Sequence, residues 1–385
     1  MFLRSITPLK SNSFFIFGGR GTGKSTFLHS FLKEKKNLWI DLLLPSTEEL
    51  YATNPTVLTE QINANKNKIE WVVIDEVQKN PQLLDLVHYH IEKDQLKFAL
   101  TGSSARKLKR GSANLLAGRA FVNHLFPLTH REIGGQFNLK DSLQWGTLPK
   151  IYQLQTDLEK QEFLRAYAQT YLKEEIWSEH IIRELKPFRR FLEVAAQTNT
   201  QIINYSNIAK DVDADPKTIQ SYYQILEDTL VGFLLEPFDY SIRKRQRKNP
   251  KFYFFDTGLV RALEKTVASE ISPGSFEYGR AFEHFIINEI FRLNHYGRKD
   301  YSLYYLRTKD DAEIDLIIER PGMPLALIEI KSKCRVDERD TAPLNRFYKS
   351  FKNAEAFLLS NDPLIKKMGA ALCMPWQEGL KEIGV

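Results

Sequence analysis

Ser13 to Phe17 is a short apolar, aromatic run that leads straight into glycines. Such a run predicts a buried parallel strand. Behind the glycines, Phe27, Leu28, Phe31 and Leu32 recur at helical spacing, so residues 26–33 predict a helix. Leu38-Trp39-Ile40-Asp41, Trp71-Val72-Val73-Ile74 and Lys97-Phe98-Ala99-Leu100 predict three more strands. Strands alternating with helices predict an α/β domain, its sheet parallel and its ligand site at the carboxyl ends of the strands.

The pattern changes after Pro127, where Gly134-Gly135 and Pro149 break it. Residues 158–186 read as mostly helical, with Phe163, Tyr167, Tyr171 and Glu174 along one side. Shorter helices follow over Phe188–Gln197, Tyr205–Val212 and Pro216–Leu230, the last with Asp215 as cap and Pro216 in its first position. Two strands, Gly232–Pro237 and Phe252–Phe255, come next. Three short helices and two strands predict a winged helix-turn-helix. Phe282, Phe285, Ile286, Ile290 and Phe291 mark an amphipathic helix, and strands are expected over Leu303–Arg307, Asp311–Ile318 and Leu325–Lys331. These breaks divide the 385 residues into three expected domains: a first α/β domain over 1–150, a helical lid with winged helix over 151–262, and a second α/β domain over 263–385.

Chemistry enters with Gly18-Gly19-Arg20-Gly21-Thr22-Gly23-Lys24-Ser25, which matches G-x-x-x-x-G-K-[ST] between a strand and a helix. Glycines let the backbone turn its amides toward phosphate oxygens, Lys24 reaches the β- and γ-phosphates, and the Ser25 hydroxyl suits Mg²⁺. Thr26 follows at the positive end of the helix. Asp75-Glu76 closes an apolar strand: Asp75 is expected to hold Mg²⁺ and Glu76 to activate the attacking water. Thr101 or Ser103, at the end of the third strand, stands where a γ-phosphate sensor belongs. Arg119, and less so Arg106, is the candidate arginine finger for a neighbouring subunit. ATP and Mg²⁺ are thus the expected cofactors, with a homo-oligomer, dimer or hexamer, among the expected partners.

In the last domain, Glu329 and Lys331 share one face of a strand, and Asp315 ends the adjoining hairpin strand near them. Asp315 and Glu329 could hold a metal and Lys331 assist phosphodiester attack, with Glu283 as a further carboxylate; the plainer alternative is a salt-bridged sheet edge.

The net charge is +6, gathered in Arg243, Lys244, Arg245, Arg247, Lys248 and Lys251. The run lies where a wing would be, which favours contact with a DNA backbone over a merely solvated loop. Lys217, on the proposed recognition helix, joins it as a DNA-binding candidate. No stretch of about 18 apolar residues predicts a membrane helix. Cys334 and Cys373 have no metal spacing, and a cytoplasmic location is expected.

These motifs, with Lys251-Phe252-Tyr253-Phe254-Phe255-Asp256-Thr257-Gly258-Leu259 as the most distinctive stretch, resemble a bacterial and archaeal family. Its members are AAA-type P-loop ATP-binding proteins that carry a C-terminal domain of unknown function related to the PD-(D/E)xK nuclease fold. The resemblance implies nucleotide roles for Lys24, Ser25, Asp75 and Glu76, and nuclease-fold positions for Glu283, Asp315, Glu329 and Lys331. The chain departs from the usual pattern in having no clear second-sensor arginine. The expected function is ATP hydrolysis coupled to DNA binding or remodelling; the alternatives are a slow regulatory switch acting on a protein and an ATP-gated nuclease in genome defence.

Overall fold

A computed structural model describes residues 2–66, 68–104, 108, 116, 118–171, 185–241, 248–308 and 312–385. Five strands open it: β1 Ser13–Phe17, β2 Asn37–Asp41, β3 Trp71–Asp75, β4 Lys97–Gly102 and β5 Ala120–His124. They form one sheet in the order β2-β3-β4-β1-β5, every pair parallel. Every residue of β1 and β3 is buried because both faces of the sheet are covered. Phe15 and Phe17 join the core of one face with Ile74 and Val87, while Phe14 and Ile16 join that of the other with Leu28 and Trp71. The expected strands are all present, and the first helix spans Lys24–Phe31.

The helix Asp157–Ala166 begins at a capping box made by Thr156 and Glu159 and passes into a wider π-helical turn over Tyr167–Tyr171. Helices Leu185–Gln197, Tyr205–Val212 and Pro216–Asp228 share one core. Asp215 caps the last of them, accepting from the amides of Lys217 and Thr218. Strands β6 Gly232–Pro237 and β7 Lys251–Phe254 then pair antiparallel.

That pair is not a free-standing wing. Six more strands follow: β8 Ser302–Arg307, β9 Glu313–Glu319, β10 Leu325–Lys331, β11 Ala354–Ser360, β12 Lys366–Met368 and β13 Ala371–Pro375. β6 runs parallel to β8, with Glu236 opposite Tyr304, so β6 and β7 complete an eight-stranded sheet ordered β12-β13-β11-β10-β9-β8-β6-β7. Local patterning does not carry such a non-local pairing. The long helix Phe276–Gly297 covers one face of this sheet through Phe282, Phe285, Ile286 and Ile290. Among the described residues, no helix is long and apolar enough to cross a membrane.

Candidate functional site

The loop from Gly18 to Gly23 joins the end of β1 to the helix Lys24–Phe31. Gly21 and Gly23 have φ of +77° and +93°, a left-handed backbone that favours glycine. A Cβ on Gly18 would stand 2.2 Å from the carbonyl oxygen of Leu125, so that position admits only glycine. The Lys24 ammonium donates to the carbonyl of Gly18 at 2.8 Å and lies 3.7 Å from the Glu76 carboxylate. It is nearly buried and held close to the loop's concave side.

The parallel register sets Asp41 beside Asp75 and Phe17 beside Gly102, which brings the ends of β3 and β4 to the loop. Ser25 Oγ donates to the Asp75 carboxylate at 2.6 Å, and Thr101 Oγ1 donates to its other oxygen. The Glu76 amide donates to Thr101 Oγ1 at 3.0 Å. Glu76 itself has φ of 59°, an uncommon conformation outside glycine and one that costs about 1–2 kcal/mol. Gln78 donates to the Glu76 carboxylate and, at 3.4 Å, to Ser103. The Ser25 hydroxyl and Asp75 carboxylate form an oxygen pair that fits a largely hydrated Mg²⁺. Lys24, Ser25, Asp75, Glu76 and Thr101 thus converge as expected, and Gly18, Gly19, Arg20, Gly21, Thr22, Gly23 and Thr26 form the loop and helix start around them.

Arg119 does not join them. It precedes Ala120, which pairs with Ser13 at the end of the sheet away from the loop, and its guanidinium is ion-paired to Glu92 on the surface. In this chain's own site it has no part; the strand register keeps it there. Arg106 lies outside the described residues.

Several supports of the loop carry no sequence signal. Tyr167 donates its hydroxyl to the Arg20 carbonyl at 2.7 Å, and Arg4 donates to the Thr22 carbonyl at 2.7 Å and the Phe126 carbonyl at 2.6 Å. The distinctive stretch ending in Leu259 proves to be a backbone lock. Asp256 caps the helix Thr257–Leu263 by accepting from Leu259 N at 3.1 Å, and accepts from Thr147 N at 2.7 Å. A Cβ on Gly258 would stand 2.2 Å from the Trp145 carbonyl oxygen. Burial raises the Asp256 pKa, against the pull of these amides and of Arg292.

A second constellation lies on the C-terminal sheet. Ile328 pairs with Leu316 across β10 and β9, and continuing that register sets Asp315 opposite Glu329. Asp315 accepts from the Ile330 amide at 2.7 Å, and Lys331 Nζ donates to Glu329 Oε1. Glu329 is 4% exposed, and its Oε2 has no hydrogen-bond partner. Burial, and then the neighbouring Asp315, push its pKa up to about 8. Glu283 reaches in from the long helix; burial carries its pKa up to about 7, with Lys251 opposing and Asp315 adding to the rise. Tyr253 donates to Glu283 at 2.8 Å.

Lys251 corrects the reading of the basic run. It is buried on β7, ion-paired to Glu313 and 3.7 Å from Glu283, because these carboxylates and Asp315 compensate it there. Glu283 is therefore tied to Lys251 and Tyr253 rather than standing as a third ligand beside Asp315 and Glu329. Among the described residues, no three His, Cys, Asp or Glu side chains gather closely enough to hold an ion by themselves. A metal held by Asp315 and Glu329 would need water for its remaining ligands.

Of the DNA candidates, Lys217 is exposed in the first turn of its helix, and Lys248 is exposed and 3.6 Å from Asp239. Arg243, Lys244, Arg245 and Arg247 lie outside the described residues.

Residues 10–134 match the sequence profile of an AAA domain, residues 136–270 that of a domain of unknown function (DUF8612), and residues 278–375 that of a domain of unknown function (DUF4143). An uncharacterized protein of Mycobacterium tuberculosis is 28% identical over 321 residues, 82% of this chain and 69% of its own length. One from Methanocaldococcus jannaschii is 22% identical over 330 residues, 79% of this chain and 71% of its own. Domain III of the Thermotoga maritima replication initiation protein DnaA gives a TM-score of 0.28 at 14% identity, covering 57% of this chain and 85% of its own. A structure described as a DNA replication initiation factor gives 0.25 at 14% identity, covering 68% and 89%. Both structural likenesses are loose. The phosphate loop, the Ser25–Asp75 pair and the match over residues 10–134 together make the N-terminal domain a P-loop ATPase domain of the AAA type.

Proposed function

We propose that this chain hydrolyses ATP and couples its nucleotide state to the binding or remodelling of DNA. The observation that carries the ATPase half is the Asp75 carboxylate, which receives the hydroxyls of both Ser25 and Thr101 at the mouth of the loop. Loop amides and Lys24 would grip the triphosphate, and Ser25 and Asp75 would hold Mg²⁺, which neutralises charge developing on the phosphates. Glu76, pinned through its amide to Thr101, would orient the attacking water. Thr101 touches both acids' positions, so it is suited to report the γ-phosphate to β4. Exposed Lys217 and the run around Arg243 and Lys244 support DNA as the partner.

ATP turnover measured with Mg²⁺, with and without duplex DNA, tests this reading. Stimulation by DNA that vanishes in Lys24→Ala is expected. Turnover indifferent to DNA would favour a switch acting on a protein instead.

The orphaned Glu329 Oε2 favours a second reading, metal-dependent DNA cleavage at Asp315, Glu329 and Lys331. Plasmid nicking in Mg²⁺ or Mn²⁺, abolished by Asp315→Ala, is its test; intact plasmid under both metals, with and without ATP, would remove it.

A further inference from the structure

The two oxygens of the Glu76 carboxylate have different partners. Oε2 accepts from Gln78 Nε2, whereas Oε1 lies 3.7 Å from the Lys24 ammonium. The left-handed backbone at Glu76 turns the chain into the short 3₁₀ turn Val77–Lys79, and Gln78 comes back beside the carboxylate two residues before it. Gln78 is only 7% exposed, whereas the Glu76 side chain keeps 18% of its surface open. One is packed in place, and the other can meet a ligand.

Burying Gln78 in this pose is unfavourable. Its Oε1 has no hydrogen-bond partner, and a buried acceptor left unmade costs stability. The opposite amide orientation would set Oε1 against the carboxylate, acceptor against acceptor. Glu76 therefore fixes which way the amide points. The same Nε2 lies 3.4 Å from Ser103 Oγ, just past the end of β4, so the carboxamide bridges the ends of β3 and β4. Gly102 leaves the room for it: a Cβ there would stand 2.6 Å from Gln78 Oε1. Half-satisfied polar groups beside strained backbone concentrate at functional sites.

A triphosphate in the loop would draw the Lys24 ammonium to its β- and γ-phosphates. Oε1 of Glu76 would then lose its cation, while Oε2 kept its amide donor. We propose that Gln78 is a positioning residue for ATP hydrolysis, anchoring Oε2 of Glu76 so that Oε1 is the oxygen turned to the attacking water. The proposal rests on the ATPase reading above. Gln78 acts through Glu76 and joins that acid to the strand end that carries Thr101 and Ser103.

Turnover of Mg·ATP by the full chain, with nucleotide binding titrated separately, tests the proposal. Gln78→Met keeps the length of the side chain and removes the donor. It is expected to lower kcat about tenfold or more, while KM and the Kd for Mg·ATP stay within about twofold of wild type. Gly102→Ala keeps Gln78 but displaces its carboxamide, and it is expected to lower kcat in the same way even if Gln78→Met proves unfolded by circular dichroism. Because Gln78 acts through Glu76, adding Gln78→Met to Glu76→Gln is expected to cost no further kcat, whereas independent losses would multiply. Wild-type or raised kcat in the folded single variants, a matching loss of Mg·ATP affinity, or multiplied losses in the double variant would overturn the proposal and leave the ATPase reading intact. No Mg·ATP turnover by the wild-type chain would overturn both.

Discussion

Phe255 packs on the phosphate loop at Gly19: a Cβ built on Gly19 would stand 3.1 Å from its ring. Four residues earlier on the same stretch, Lys251 sits among the carboxylates of the C-terminal sheet. One short segment thus touches both candidate sites. Phe255 also stacks on Tyr167, whose hydroxyl holds the Arg20 carbonyl. A change of loop shape on nucleotide binding has a direct mechanical route to β7 and, through Lys251, to Glu283.

Phe255→Leu should loosen that route while keeping an apolar side chain. Nucleotide affinity is expected to fall several-fold, stimulation by DNA to fall further, and stability to drop by about 1–2 kcal/mol. Denaturant melts and nucleotide titrations measure the two effects separately. A variant with wild-type DNA response would show that coupling takes another path.

Glu76→Gln keeps the shape and the amide bond to Thr101 but removes the carboxylate that would polarise water. Turnover should fall by about 10²–10³ with ATP affinity within a few-fold of wild type. Single-turnover hydrolysis alongside a binding titration separates the two. Loss of binding to match the loss of turnover would make Glu76 a structural residue.

Protonation at the second constellation gives a prediction about pH. An unfolded glutamate ionises near 4.5, whereas burial holds Glu283 and Glu329 protonated up to about 7 and about 8. Across that interval the folded chain binds more protons, so the stability these groups contribute is full below about pH 4.5 and is lost as pH climbs through about 8. Glu329→Gln should flatten the decline of melting temperature between pH 5 and 9. An unchanged slope would mean that Glu329 is ionised throughout.

If the basic run meets DNA, the logarithm of affinity should fall linearly with the logarithm of salt, by roughly 0.9 per phosphate neutralised. Alanine at Arg243, Lys244 and Arg245 together should lower that slope by about 2–3, and Lys217→Ala by about 1. Fluorescence anisotropy between about 50 and 200 mM salt resolves such differences. Slopes equal to wild type would remove these residues from the interface.

Much of the first site was legible because its chemistry is local. The glycines, Lys24 and Ser25 lie together in the chain, and β1 and β3 are buried on both faces, which leaves unbroken apolar runs. The Asp315–Glu329 juxtaposition was also readable, since a strand's period of two and a short turn fix it. β5 carries no such signal, because Phe121 and Val122 are half-exposed at the sheet edge and no buried run marks the strand. Lys251 reads as surface charge in the sequence, because its compensating acids Glu283 and Glu313 come from distant segments. The pattern Asp256–Leu259 was visible as a pattern, but its meaning lies in a backbone approach to Trp145 that no spacing reveals.

The central claim is a loop that holds the phosphates of ATP through Lys24, and direct calorimetric titration of Mg·ATP tests it most simply. Wild type should bind at one site per chain, and Lys24→Ala should bind at least a hundredfold more weakly while melting within about 3 °C of wild type, since Lys24 contacts the Gly18 carbonyl and Glu76 rather than apolar core side chains. Absence of binding by the folded wild-type chain, or equal binding by Lys24→Ala, would contradict the account.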